Sequence, residues 1–181
     1  MKTEANNSSK GMIQVYTGDG KGKTTAALGL AMRAVGHGKK VIIIQFLKGQ
    51  EISGERLTAR LLAPQLTIIP MGRAGFINTV NPDPKDKLLA RKGMEYARRL
   101  VEKNACDILI LDEVNVAVAY NLIPVQDLLD FIDAKPETLE LILTGRNALP
   151  KILEKADLVT EMKCLKHYYD QGVRDRISSE R

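Results

Sequence analysis

The chain has 181 residues, 44% of them hydrophobic and 27% charged, which suits one globular domain with a full core. No apolar run approaches the roughly 20 residues that span a bilayer, and two isolated cysteines, Cys106 and Cys164, argue against a disulfide framework or a cysteine zinc site. The formal charge of +5 suits nucleic acid or an anionic small ligand, but five Tyr, three Phe, no Trp and no basic block speak against a stacking platform for single strands.

Residues 1–11 are polar, lack an apolar signal core and read as a flexible leader, so a cytoplasmic location is expected. A single domain is expected over 12–165, followed by a polar C-terminal segment, 166–181. Within the domain, strands and helices alternate, which predicts an α/β fold with a mostly parallel sheet of about six strands covered on both faces. The first strand spans 12–17, and its helix runs from 23 to 35 and stops at Gly36-His37-Gly38. The run Val41-Ile42-Ile43-Ile44-Gln45-Phe46 is apolar without alternation, as in a strand buried on both faces. A second helix is expected at 54–62 and a third strand at 65–70.

Residues 71–81 read as an irregular, mobile loop holding one aromatic, Phe76. Asp83 and Pro84 then open a long helix, 84–103, with Leu89, Gly93, Ala97 and Val101 stepping by four along one face. Strand four is the apolar run before Asp112 and Glu113. Helices follow at 115–120 and 124–133, then a strand at 139–144, a short helix at 150–155 and a sixth strand at 157–162.

The chemistry concentrates in Thr17-Gly18-Asp19-Gly20-Lys21-Gly22-Lys23-Thr24-Thr25, between the first strand and its helix. A strand, a glycine-rich loop and a helix opening on Lys-Thr is the context of a phosphate-binding loop. Glycines let the backbone curl so that several N–H groups point inward. The helix start adds positive partial charge, Lys23 adds a full charge, and the Thr24 hydroxyl can ligate a magnesium ion. The usual pattern places its first glycine where Thr17 stands, so Gly18 comes one position late. The bland alternative is a glycine-rich surface turn.

Lys23, Gln45, Lys48, Asp112, Glu113 and Arg146 all follow predicted strand ends, the edge at which open α/β sheets bind ligands. Of the pair Asp112 and Glu113, one carboxylate can hold the metal and the other can face the reacting group; the alternative is a solvated loop pair. Arg146 can present its fork of donors to a phosphate or be a turn residue on the surface. Gln45 and Lys48 are open between ligand contact and surface. His167 can meet an anion or be a tail histidine, and His37 reads as structural.

Taken together, these motifs resemble the P-loop type ATP:corrinoid adenosyltransferases. The resemblance runs from Thr17 to Ala27, through Gln45-Phe46-Leu47-Lys48-Gly49, Leu111-Asp112-Glu113 and Leu143-Thr144-Gly145-Arg146, to Ala156–Met162 and Lys166–Val173. The late first glycine is the usual form in that family. The resemblance implies a RecA-like P-loop NTPase fold, a homodimer, and transfer of the 5′-deoxyadenosyl group of ATP to the Co(I) of a corrinoid, cobalamin or cobyrinic acid a,c-diamide, with release of tripolyphosphate. It further implies Mg2+ or Mn2+, a flavin-type reductase as a partner, and neither nucleic acid nor membrane.

By resemblance, Lys23, Glu113 and Phe76 carry catalysis. Gly18, Asp19, Gly20, Lys21, Gly22, Lys23, Thr24, Thr25, Gln45, Lys48, Arg146 and His167 bind the nucleotide or corrinoid, and Thr24, Asp112 and Glu113 hold the metal. Phe76 matches an aromatic that helps displace the lower cobalt ligand. Two departures stand out: a family tryptophan falls on Asn78, and the usual Gly-Ile-Glu or Gly-Ile-Asp ending is Arg176-Ile177-Ser178-Ser179-Glu180-Arg181. The alternatives are a generic P-loop NTPase or kinase of the same fold, and a non-catalytic nucleotide- or nucleic-acid-binding module.

Overall fold

The computed structural model describes residues 10–49, 53–73, 82–168 and 172. Among them, six parallel strands form one sheet in the order β3-β2-β4-β5-β1-β6. The strands are β1 (Ile13–Thr17), β2 (Val41–Phe46), β3 (Leu66–Met71), β4 (Ile108–Asp112), β5 (Glu140–Thr144) and β6 (Leu158–Glu161). The helices are α1 (Lys23–Gly36), α2 (Gly54–Leu61), α3 (Pro84–Glu102), α4 (Val114–Ala119), α5 (Val125–Asp133) and α6 (Pro150–Leu153). These bounds lie within two residues of the predicted ones, because long apolar runs and their Gly, Pro and Asp punctuation mark both the centres and the ends of the elements.

The unbroken apolar runs arise because both faces of the sheet are covered. Ile42, Ile44, Phe46, Leu109, Leu111, Leu141 and Leu143 face a core shared with α3, α4, α5 and α6. Their strand neighbours Val41, Ile43, Ile108, Ile110 and Ile142 face a second core under α1 and α2. Alternate side chains thus point to opposite sides, and each side needs an apolar residue.

The long helix α3, Pro84–Glu102, forms where the four-residue step places it. Its buried residues are Asp86, Ala90, Gly93, Met94, Ala97 and Leu100, while Leu89 and Val101 are half-buried. A step of four residues overshoots one helical turn, so a strict four-residue track drifts around the helix and only its middle stays buried. Gly93 sits at that middle because a β-carbon there would come 2.7 Å from the Phe46 ring. Asp86 is a buried charge that the apolar pattern did not anticipate.

At the N-terminal side, Gly11 is bonded to the body, its N–H donating to the Glu137 carbonyl at 2.6 Å. Residues 1–9 of the expected leader, most of the 71–81 loop including Phe76 and Asn78, and most of the 166–181 segment lie outside the described residues. No helix among the described residues is long and apolar enough to cross a membrane.

Parallel pairing puts every strand's carboxyl end on one edge of the sheet. The chain passes from β1 to β2 over β5 and β4, and α1 makes that crossing, so the helix start lies above the end of β4. Gln45 pairs in register with Asp112, and Tyr16 with Thr144. Polar residues far apart in sequence are therefore neighbours along that edge.

Candidate active site at the carboxyl edge of the sheet

The loop between β1 and α1 is shaped by its backbone. Gly18 has φ +90° and Gly22 φ +119°, in the left-handed region that favours glycine. Gly18 and Gly20 lie against the chain leaving β6. A β-carbon on Gly18 would overlap the Met162 carbonyl oxygen and come 2.8 Å from its nitrogen, and the Gly20 N–H donates to that carbonyl at 2.7 Å. Gly22 is the N-cap of α1, with no side-chain cap and no acidic residue in the first turn. Those first N–H groups are the donors a helix leaves for an anion.

Lys23 is 6% exposed, and its Nζ donates to the carbonyls of Gly18 at 2.6 Å and Gly20 at 2.7 Å. Burial pulls its pKa below the usual lysine value, with Arg146 adding to the effect while Glu113 and Asp19 oppose it. Asp19, Lys21 and Thr25 stand exposed along the loop.

Asp112, fully buried, is the hub. Its Oδ1 accepts from Thr24 Oγ1 at 2.8 Å and Thr144 Oγ1 at 2.7 Å; its Oδ2 accepts from Lys48 Nζ at 3.0 Å and Gln45 Nε2 at 3.4 Å. Residues from the phosphate loop, from β2 and its exit, and from β5 thus meet on one carboxylate. Burial pulls Lys48 down, but the Asp112 charge and hydrogen bond outweigh it and leave its pKa raised. Gln45 also donates to Glu55 of α2 at 3.3 Å.

Glu113 adopts φ +63°, rare for a side-chain-bearing residue, and forms the N-cap of α4. Its N–H donates to Thr144 Oγ1 at 3.0 Å. Burial and the neighbouring Asp112 push its carboxyl above the usual glutamate range, against the pull of Lys48, Lys23 and Arg146. Arg146 is exposed just past Gly145, whose φ is +128° and whose missing β-carbon lets the turn lie against Val116 and Asn115. Both side-chain amide atoms of Asn115 are buried without a hydrogen-bond partner beside that turn.

The edge therefore gathers Lys23, Thr24, Gln45, Lys48, Asp112 and Glu113, with the Arg146 charge acting on Lys23 and Glu113. The His167 ring lies beside that of Tyr168, centroids 4.7 Å apart and planes tilted by 46°. Phe76 lies outside the described residues. Thr144, which ends β5, is a further residue of this edge. A polar residue ending an apolar strand is the same signal that singled out Asp112 and marks Thr144 too; the fold then makes it the bridge between the two carboxylate residues. Glu55 carried no such signal, because its partner is set by helix packing.

The donor set is hard oxygen: the Thr24 hydroxyl, the Asp112 carboxylate and the Glu113 carboxylate. That set suits Mg2+, which takes one or two carboxylates and completes its shell with water and substrate phosphates. No group of three or more His, Cys, Asp and Glu among the described residues makes a self-contained metal cage. A depression of about 490 Å3 lies at the opposite, amino edge, between Lys40, Asn104, Cys106 and Leu139. There burial pushes the Cys106 thiol up to about 11, away from reactive thiolate. The polar groups converge at the carboxyl edge instead.

Comparison with known proteins bears on the fold and the family. The fold is shared with a KaiC-like protein, PH0186, of Pyrococcus horikoshii OT3 (TM-score 0.58, 15% identity, 84% of this chain and 72% of that one). It is shared equally with the flagellar accessory protein FlaH of Methanocaldococcus jannaschii (TM-score 0.58, 20% identity, 84% of this chain and 71% of that one). The architecture is the RecA-like P-loop fold.

In sequence, the chain is 39% identical over 168 residues to the corrinoid adenosyltransferase of Escherichia coli K12, covering 93% of this chain and 84% of the relative. It is 38% identical over 168 residues to the corrinoid adenosyltransferase CobA of Salmonella typhimurium LT2, with the same coverage. The profile of the family described as ATP:corrinoid adenosyltransferase BtuR/CobO/CobP matches residues 9–180. The chain belongs to the ATP:corrinoid adenosyltransferase family and is an enzyme that adenosylates corrinoids.

Proposed function

We propose that the carboxyl-edge site binds ATP with its triphosphate in the Gly18–Thr25 loop and delivers the 5′-deoxyadenosyl group to the Co(I) of a corrinoid, releasing tripolyphosphate. The observation that carries this reading is the meeting of Lys23, Lys48 and Arg146 around the buried Asp112 and the half-buried Glu113. The arrangement supplies positive charge where a triphosphate would leave.

The Co(I) centre of the substrate is the nucleophile. Its electron pair forms the cobalt–carbon bond at C5′, the C5′–oxygen bond breaks, and the triphosphate departs with that bond's electrons. No protein nucleophile or base is required; the chain has to align the partners and stabilise the leaving group. The loop N–H groups and Lys23 hold the phosphates, and Lys48 and Arg146 add charge on the far side. Thr144 fixes Asp112 and the Glu113 backbone. Thr24, Asp112 and Glu113 are the residues that would hold Mg2+, or Mn2+, and such an ion would neutralise charge on the leaving triphosphate.

His167, Asp19, Lys21 and Thr25 complete the ligand contacts, and Phe76 acts on the corrinoid's lower ligand. The enzyme works as a cytoplasmic homodimer, on cobalamin or cobyrinic acid a,c-diamide reduced by a flavin-type reductase.

The test is an anaerobic assay with ATP, Mg2+ and chemically reduced cob(I)alamin, followed through the corrinoid spectrum. Conversion to adenosylcobalamin that depends on ATP supports the reading. ADP formation at the same rate with and without corrinoid, and no cobalt–carbon product, overturns it in favour of a plain NTPase.

A further inference from the structure

Beyond the carboxylate cluster, the structure builds a second charged assembly. Asp86, in the first turn of α3, is only 3% exposed. Arg73, just past the end of β3, closes on it with both arms: Nε to Oδ1 at 2.7 Å and Nη2 to Oδ2 at 2.8 Å. The third nitrogen, Nη1, lies 3.1 Å from Oδ2 of Asp83, the N-cap of the same helix. A planar fork gripping a carboxylate with two bonds fixes direction as well as distance. The Arg73 hydrogen bonds hold the Asp86 carboxyl below the usual aspartate range, although burial pulls the other way.

The residue before the fork makes the second contact. Met71 pairs with Phe46 in register, so Gly72 follows alongside Leu47. A β-carbon on Gly72 would overlap the Leu47 carbonyl carbon and come 2.5 Å from the Lys48 nitrogen. The two backbones touch at a point where no side chain fits. Leu47 itself takes φ +64°, so the chain turns sharply there and sends Lys48 to Asp112.

We propose that Arg73 is a positioning residue for Lys48: its fork on Asp86 and Asp83 holds Gly72 against the Leu47–Lys48 turn, and the turn sets the ammonium beside Asp112. Only the kinetic consequence rests on the reading of Lys48 as a leaving-group cation. The mechanical link stands on the contacts alone.

The full-length protein tests it with the paired change Arg73→Gln and Asp86→Asn, which removes the fork without leaving a buried charge unpaired, and separately with Gly72→Ala. Hydrogen exchange of the backbone amides at 46–49 should accelerate about tenfold in both, with the 18–25 loop unchanged. With ATP and cob(I)alamin, kcat should fall about tenfold while KM for ATP stays within about twofold. In a Lys48→Met background the same paired change should alter kcat less than about twofold, because the group it positions is gone. Unchanged exchange at 46–49 in either variant overturns the proposal, as does an equal kcat loss in both backgrounds. Faster exchange combined with a wild-type rate for Lys48→Met keeps the positioning role and overturns the reading of Lys48 instead.

Discussion

The two halves of the active edge are built from different materials. On the β1 and β6 side, main chain does the work: glycines in left-handed conformations, a Gly20 N–H on the Met162 carbonyl, and Lys23 held by two loop carbonyls. On the β2 and β3 side, side chains reach across the fold: Lys48 and Gln45 to Asp112, Gln45 to Glu55, and Arg73 to Asp86. A backbone cradle is coded by residues adjacent in sequence. A side-chain network is coded by residues whose partners are set only by topology.

The sharpest way to break this contrast is Lys23→Ala. Loss of the buried ammonium held by the backbone cradle should lower kcat/KM for adenosyl transfer by about 10²–10³-fold. Steady-state kinetics at a near-wild-type rate would remove the cradle from the reaction.

Thr144 links the halves, donating to Asp112 and accepting from the Glu113 N–H. Thr144→Val keeps the shape and deletes both bonds, and should lower kcat about 10–100-fold. Thr144→Ser should restore most of it. Equal rates for the Val and Ser variants would make the residue a packing group only.

The backbone character of the β1 side is probed by Gly18→Ala. The φ of +90° and the contact with the Met162 carbonyl predict a stability loss of about 1–3 kcal/mol in denaturant unfolding. Full tolerance would show that the loop does not need glycine there.

The smallest effect belongs to the fork. The folded-state pKa of Asp86 is lowered, so its contribution is full above the unfolded value and is lost as pH falls through the lower folded one. The melting temperature of wild type should therefore decline more steeply below about pH 4 than that of the paired Arg73→Gln and Asp86→Asn variant. Parallel declines would contradict the assignment.

How much was readable from the chain follows the same division. The order and bounds of the elements, the cradle and the carboxylates at the end of β4 were legible, because each rests on neighbouring residues or on a period of the local backbone. Thr144 was half legible: its place at a strand end is visible, but its two partners, 31 and 32 residues away, are not. The Arg73 fork was illegible. A charge in the first turn of α3 reads as a solvated helix start, and only the fold brings Arg73 to bury it. The four-residue step located α3, but which of its residues are buried was not legible, since four residues exceed a turn and the track drifts off the core at Leu89 and Val101.

The most direct test of the central claim is the identity of the phosphate product. Phosphorus NMR of a completed anaerobic reaction of ATP, Mg2+ and cob(I)alamin should find tripolyphosphate equal in amount to the adenosylcobalamin formed. ADP and orthophosphate in its place, in proportion to the ATP consumed, would mean that the edge cleaves a phosphate bond and does not transfer the adenosyl group at C5′.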